Sequence, residues 1–212
     1  MKPIEIPQDW SMITVGQWMN AMRNQDDKYK LIASVSNYTS DELKNVSQLA
    51  LENAQQAVVK LLDQRPTRIH REFKLEGTTF AFIPDWSEFT AGEYADAEYF
   101  ASDLPNTAHE FMSVMYRPYA KHTPWEKKLE PYTKPIYAES MLDVPAEILG
   151  GCFLFFCLID ETYRKSTRAY LAEEVVQARS GANTDGTIPS TSWLERMRQR
   201  LNWWRSGLSK GR

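Results

Sequence analysis

An internal repeat is the feature of this sequence that most restricts its fold. Residues 6–18 (IPQDWSMITVGQW) and residues 83–94 (IPDWSEFTAGEY) agree at seven of twelve aligned positions when Gln8 is treated as an insertion. The matched positions include a tryptophan and a proline, and chance seldom aligns residues of both types. Self-similarity of this kind indicates a duplicated structural unit.

Each copy of the repeat has the pattern of a helix start. Thr14 and Thr90 stand three residues before Gln17 and Glu93, the spacing of a capping box that satisfies the first free amides of a helix. An apolar residue before each cap and an aromatic residue within each first turn predict a hydrophobic staple, Ile13 with Trp18 and Phe89 with Tyr94. An alternative takes Asp9, Asp85 or Glu93 as acid–base residues of an enzyme. We favour the capping interpretation because it explains the spacing in both copies.

The sequence predicts a mainly α-helical protein with a small β-sheet and a duplicated helical unit. Residues 72–75 and 78–82 alternate around a Glu76-Gly77 turn, the pattern of a β-hairpin. The extended stretch Ile4–Ile6 is a candidate N-terminal strand of the same sheet, and the Pro- and Tyr-rich segment 117–137 is expected to be a loop. The predicted organisation is a first helical repeat (1–66), a hairpin connector (67–83), a second helical repeat (84–176), a flexible linker (177–191) and a basic amphipathic helix (192–208).

Charge is distributed unevenly along the chain. The 212 residues carry a formal net charge of −3 from 25 Lys and Arg against 28 Asp and Glu. Residues 191–212 hold six bases and one acid, a net of +5, so residues 1–190 carry 19 − 27 = −8. An acidic body with a basic end suggests that the end meets an acidic partner or folds back on the body. We do not expect the body to bind nucleic acid.

The longest apolar run, residues 148–159, has 12 residues, whereas a membrane span needs about 20. The first residues also lack the pattern of a signal peptide, so we expect a soluble, intracellular protein. We place the apolar run in the core, on a helix that begins near Pro145, with a subunit or client interface as the alternative. Gly150-Gly151 within it is more typical of close packing than of a phosphate loop.

The residue types that carry chemistry form no motif in this sequence. Cys152 and Cys157 would point about 140° apart on one helix and cannot bridge each other, so both are expected to be core thiols. His70, His109 and His122 fit no metal-binding or catalytic spacing. We therefore predict no catalytic residue, no cofactor and no metal. An enzyme whose residues converge only in three dimensions is the minor alternative.

The sharpest signal for a partner lies after the polar linker 177–191. Residues 192–195 form a third capping box, and the helix that it opens carries an apolar stripe at spacings of 4, 4, 3 and 4. The stripe consists of Trp193, Met197, Leu201, Trp204 and Leu208, and the bases beside it include Arg196 and Arg200. So short a helix is marginal in water unless its stripe is covered. We favour an acidic groove on another protein as the cover, with the chain's own body, an anionic membrane surface and nucleic acid as alternatives.

The repeat resembles a family encoded in the morphogenesis regions of tailed bacteriophages, the tail assembly chaperones. The resemblance covers roughly residues 3–175 and rests on the two repeat openings, on the helix 111–118 before the Tyr-rich loop, and on the closing helix 144–156. It implies a small, helical, non-enzymatic protein of the host cytoplasm that binds a tail component before assembly, such as the tape-measure protein or a ring or portal-type subunit. The segment from residue 177 onward departs from the family. The alternative is therefore a permanent, homo-oligomeric virion component, a head–tail connector or tail ring subunit whose C-terminal helix clamps a neighbouring subunit.

Overall fold

The computed structural model of the chain describes residues 3–66, 68–83, 89–123 and 126–160. Contacts divide the chain into two compact units, Met1–Phe153 and Leu154–Arg212. Every described element except the end of the last helix therefore belongs to the first unit.

Eight α-helices lie within the described residues, and their order repeats. The first four are α1 (Val15–Arg23), α2 (Lys28–Val35), α3 (Ser40–Leu43) and α4 (Gln48–Leu62). The second four are α5 (Ala91–Ala101), α6 (Leu104–Met115), α7 (Ala138–Met141) and α8 (residues 146–160). The predicted mainly α-helical fold is confirmed. Each set has two helices, then a four-residue helix, then a long helix, an order that agrees with the predicted duplicated unit. The predicted linker and amphipathic helix lie outside the described residues.

The helix starts predicted from the repeat are present in both copies. The Thr14 hydroxyl accepts a hydrogen bond from the Gln17 amide at 3.2 Å, and the Thr14 amide donates to the Gln17 side chain at 3.0 Å. Thr90 and Glu93 exchange the equivalent bonds at 3.3 and 2.6 Å. The capping interpretation is therefore confirmed. Residues 84–88 of the second copy lie outside the described residues.

The start of α1 binds the connection between α7 and α8, a contact that we call the first junction. Residues 13–16 and 142–146 share three backbone hydrogen bonds of 2.8 to 2.9 Å. These bonds run from the Val15 amide to the Val144 carbonyl, from the Gly16 amide to the Leu142 carbonyl and from the Ala146 amide to the Ile13 carbonyl. Together with the Thr14 cap, they satisfy donors that a helix start otherwise leaves unpaired. Ile13, Val15, Val144 and Ala146 are all buried, so these bonds form away from water.

The sheet has four antiparallel strands in the order β1-β2-β3-β4. They are β1 (Glu72–Leu75), β2 (Thr78–Phe82), β3 (Tyr116–His122) and β4 (Lys127–Leu129). The predicted hairpin is confirmed as β1 and β2, with Phe73 opposite Phe80. Glu76 and Gly77 both have positive φ, 50° and 81°, as a two-residue hairpin turn requires.

The predicted N-terminal strand is wrong. Residues 4–6 lie outside the sheet, and β3 takes the place beside β2. Pro3 and Pro7 flank this stretch and lack the amides that a strand ladder needs. The Glu5 amide donates instead to the Asn37 side chain at 3.3 Å.

The segment 117–137 is more than the predicted loop, because it contains β4 and most of β3. Pro118 within β3 argues against a strand, since proline lacks a backbone donor. Pro118 nevertheless lies opposite Phe80. The Ile83 amide donates to the Met115 carbonyl at 3.2 Å, so these two residues form a hydrogen-bonded pair. Such pairs alternate with non-hydrogen-bonded pairs along an antiparallel ladder. Phe80 and Pro118, three positions along, form a pair of the second kind, which needs no amide from Pro118 toward β2.

Two glycines allow α8 to lie directly on the segment that precedes β1. A Cβ atom on Gly151 would stand 1.9 Å from the Arg68 carbonyl oxygen, and one on Gly150 would stand 3.0 Å from the Pro66 ring. No side chain fits at Gly151 without a shift of the Arg68 backbone. The prediction that this glycine pair serves packing is confirmed.

We predict that Gly151→Ala lowers the free energy of unfolding by roughly 1–3 kcal/mol, because the added methyl group overpacks the contact with Arg68. Gly92→Ala is the matched control, since a Cβ there meets no atom within 4 Å and alanine suits a helix better. It should raise stability by roughly 0.5–1 kcal/mol. Urea denaturation followed by circular dichroism measures both, and a fully stable Gly151→Ala protein would contradict this account of the packing.

Candidate interaction site

The residues predicted to bind a partner lie outside the described residues, so their role stays a prediction. They are Trp193, Met197, Leu201, Trp204, Leu208, Arg196 and Arg200. The described ranges contain 14 bases and 21 acids, a net of 14 − 21 = −7. The described body is therefore acidic, and its charge would attract a basic segment or a basic partner.

A buried ion pair joins the start of α5 to β3. Glu93 is 1% exposed; one carboxylate oxygen accepts the Thr90 amide hydrogen bond and the other lies 3.0 Å from the Arg117 guanidinium. A second nitrogen of Arg117 donates to the Glu130 carbonyl at 3.0 Å. The first copy of the repeat has the neutral Gln17 at the Glu93 position. The two copies therefore differ by one buried charge. Removal of the Glu93 carboxylate would leave the Arg117 guanidinium without a counter-charge.

Three tyrosine hydroxyls in or near β3 and β4 donate hydrogen bonds to carboxylates. The pairs are Tyr119 with Glu72 at 2.5 Å, Tyr132 with Asp96 at 2.5 Å, and Tyr137 with Glu130 at 2.6 Å. The bond to Glu130, together with burial, raises the pKa of Tyr137 to about 12. Burial and the bond to Asp96 raise the pKa of Tyr132 as well. These phenols are held in the protonated form, and their hydrogen bonds fix the position of the segment 117–137.

The acid–base candidates have structural partners where they are described. Asp9 caps the 3-10 turn Trp10–Met12, accepting from the Ser11 amide at 2.9 Å and from the Ser11 hydroxyl. Glu93 is bound as above, and Asp85 lies outside the described residues. Their positions favour the capping interpretation over acid–base chemistry.

The histidines are widely separated in the chain, and the two whose side chains are described each lie near one carboxylate. His70 Nε2 lies 3.7 Å from Glu147, and His109 Nδ1 lies 3.6 Å from its neighbour Glu110. Both distances exceed those of hydrogen bonds. The side chain of His122 lies outside the described part. Within the described ranges, no group of three or more His, Cys, Asp or Glu residues is arranged to hold a metal ion.

The two cysteines differ in their burial. Cys152 is fully buried, as expected for a core thiol, whereas Cys157 is only partly covered. Burial, with a smaller contribution from Asp160, raises the pKa of the Cys157 thiol to about 12. That thiol is therefore protonated at neutral pH and is a poor nucleophile.

The structure also contains a polar cleft that the sequence did not indicate. Its volume is about 340 Å³, and it is lined by Asp9, Trp10, Ser11, Gln64, Arg65, Pro66 and Glu147. These residues come from the 3-10 turn, the end of α4 and the start of α8. No local spacing could have predicted their meeting, because the three segments are far apart in sequence.

The exposed apolar side chains are the other candidates for partner contact. Leu49 on α4 and Tyr99 on α5 are 69% and 70% exposed, and Met12 and Ile136 are also exposed. On the predicted apolar run, residues 148, 149, 152 and 156 are buried, while Leu158 is exposed. The core prediction for this run therefore holds for one of its faces.

No helix in the described residues combines the length and hydrophobicity needed to cross a bilayer. Neither a family model, nor a curated protein, nor a solved structure matches this chain.

We predict that Glu93→Gln lowers the free energy of unfolding by about 3 kcal/mol. Glutamine can still cap the helix, but the largely buried Arg117 loses its carboxylate. Gln17→Glu is the matched control at the repeat-equivalent position and should change stability by less than about 1 kcal/mol, since a helix start tolerates an acid. Chemical denaturation distinguishes these outcomes. Equal effects of the two substitutions would contradict the assigned role of the ion pair.

We also predict a loss of stability in alkaline solution. The folded-state pKa of Tyr137 is raised to about 12, above the unfolded value of about 10. The folded state therefore holds this proton more tightly, so stability is complete below pH 10 and falls as pH rises toward 12. Urea midpoints measured between pH 8 and 12 test this prediction. Tyr137→Phe should show a shallower decline than the unsubstituted chain, and an identical decline would refute the assignment.

Proposed function

We propose that this protein is a non-enzymatic protein–protein interaction protein of tailed-phage assembly, acting as a tail assembly chaperone that binds a tail component. The observation that carries the proposal is the combination of an acidic body, −7 over the described residues, with the +5 of residues 191–212 and their apolar stripe. A short helix that carries such a stripe is stable only when a partner covers the stripe. The resemblance over residues 3–175 names the class of partner.

The fates of the polar residues support an interaction role. Asp9 and Glu93, the described acid–base candidates, serve a cap and an ion pair. The cysteine outside the core has a raised pKa. The two carboxylates therefore have structural roles and the thiol is a poor nucleophile, which favours a binding protein over a catalyst.

The alternative is a permanent virion component, a head–tail connector or tail ring subunit. The predicted linker 177–191 favours it, because 15 residues that behaved as a flexible chain would span about 20 Å and would let residues 192–208 reach a neighbouring subunit. Under this alternative the C-terminal segment is a clamp between subunits and would remain in the finished particle.

We predict that Leu201→Glu weakens co-purification with the tail component at least tenfold, because it places a charge within the apolar stripe. The matched control is Asn202→Glu, which adds the same charge one residue off the stripe and should bind normally. The measurement is the yield of co-expressed tape-measure protein, and separately of ring and portal-type subunits, recovered with the tagged full-length chain. Equal yields from both variants would refute the stripe as the binding surface.

Mass spectrometry of purified virions separates the two functions. A chaperone should be missing from the particle, whereas a structural subunit should be present in stoichiometric amount. Deletion of residues 190–212 should abolish ring assembly only if the protein is a ring subunit that uses its C-terminal helix as a clamp.

A further inference from the structure

The second helix start of the repeat lacks the contact that the first one makes. In the first junction, residues 13–16 bind residues 142–146. The repeat aligns residues 14–17 with 90–93. The matching order of the helices places the α3–α4 connection, residues 44–48, in correspondence with residues 142–146 of the α7–α8 connection, with Val46 at the position of Val144. The equivalent second junction would therefore join the start of α5 to residues 44–48.

The donor side of this second junction is open within the described residues. The amides of Ala91 and Gly92 make no hydrogen bond there, although their equivalents in α1 both donate across the first junction. A Cβ on Gly92 would meet no atom within 4 Å, whereas a Cβ on Gly16 would lie 3.3 Å from the Leu142 carbonyl. Ala91 and Gly92 are also exposed to solvent.

The acceptor side is open as well. The carbonyls of Lys44 and Val46 correspond to the two acceptors of the first junction, and they accept no hydrogen bond within the described part of the chain. Lys44 is exposed and Val46 is half-buried. One chain therefore presents two complementary half-sites that it does not join to each other.

We propose that the second junction forms between two copies of this chain, with residues 44–48 of one copy docked on the start of α5 of the next. The Ala91 amide would donate to the Val46 carbonyl and the Gly92 amide to the Lys44 carbonyl, as Val15 and Gly16 do within the chain. The two surfaces differ, so the contact is head-to-tail. Repetition of such a contact closes into a ring or continues as a filament.

The intermolecular junction is weaker than its intramolecular counterpart. Its side chains are less apolar, because Ala91 stands where the first junction has Val15 and Gln48 stands where it has Ala146. Less apolar area is therefore removed from water, and the association is reversible and depends on concentration. This inference goes beyond the proposed function and applies equally to a chaperone and to a ring subunit.

The first test is a disulfide placed across the proposed contact. In the first junction, a Cβ at position 16 lies 3.6 Å from the Leu142 Cβ, within the range of bonded cysteines. The full-length chain with Gly92→Cys, Lys44→Cys and Cys157→Ser should therefore give a ladder of 24.6 kDa multiples on a non-reducing gel after mild oxidation.

Two further cysteine pairs serve as controls in the same Cys157→Ser background. Gly92→Cys with Ala57→Cys places the second thiol on an exposed position of α4 outside the junction, and it should give no ladder. Gly16→Cys with Leu142→Cys should close within one chain and stay monomeric. A ladder of equal yield from the Ala57 pair overturns the proposal.

The second test measures self-association by light scattering of the purified chain, with no phage component present. Gly92→Gln should weaken association at least tenfold, because its side chain occupies the position of the docked Lys44 carbonyl. The matched control Ala57→Gln should leave association unchanged. Gly92→Gln removes a glycine from an exposed helix, so it should not unfold the protein. An unsubstituted chain that is monomeric at every concentration, or a Gly92→Gln chain that associates normally, overturns the proposal whatever the outcome of the virion experiments.

Discussion

Backbone pairing between the start of α1 and the α7–α8 connection holds the two halves of the first unit together. Buried amides that lack an acceptor cost free energy, so a helix can begin in the core only where acceptors are supplied. Here the Thr14 hydroxyl supplies one and the carbonyls of Leu142 and Val144 supply two more. Glycine suits position 16 because its amide lies close to residue 142, and a Cβ there would stand 3.3 Å from the Leu142 carbonyl oxygen. The first copy of the repeat therefore has a structural role, because it connects the start of α1 to the α7–α8 connection.

The second copy keeps the capping chemistry but uses it differently. The residue that completes its capping box is an acid, and the carboxylate oxygen of Glu93 that does not accept from Thr90 pairs with Arg117 on β3. Tyrosine hydroxyls then fasten the surrounding chain to Asp96 and Glu130. The inserted strands β3 and β4 are thus held by charge-assisted hydrogen bonds, whereas the first copy is held by buried apolar side chains and backbone bonds. The two copies share one capping module, and the charge difference between Gln17 and Glu93, together with strands β3 and β4, gives it two environments.

The parts of the fold that depend on neighbouring residues could be predicted from the sequence. The capping boxes at Thr14 and Thr90 need residues only three apart, and the β1–β2 hairpin needs a two-residue turn. The strand β3 was not predicted because it contains Pro118. Proline is tolerated there only because this position needs no amide toward β2, and that depends on the pairing register, which other parts of the chain determine. The polar cleft and the first junction join segments separated by more than fifty residues, and no local pattern reports such contacts.

The first junction also sets an order for synthesis of the chain. Val15 and its acceptor Val144 are 144 − 15 = 129 residues apart, so the amides at the start of α1 stay bonded to water until the α7–α8 connection has left the ribosome. At roughly 5–20 residues per second that interval is on the order of 10 s. The entropic cost of closing a loop grows only slowly with its length, so a separation of this size does not prevent the junction from forming. During that interval, among the bonds that cap this helix start, the nascent chain can form only those of the capping box of Thr14 and Gln17.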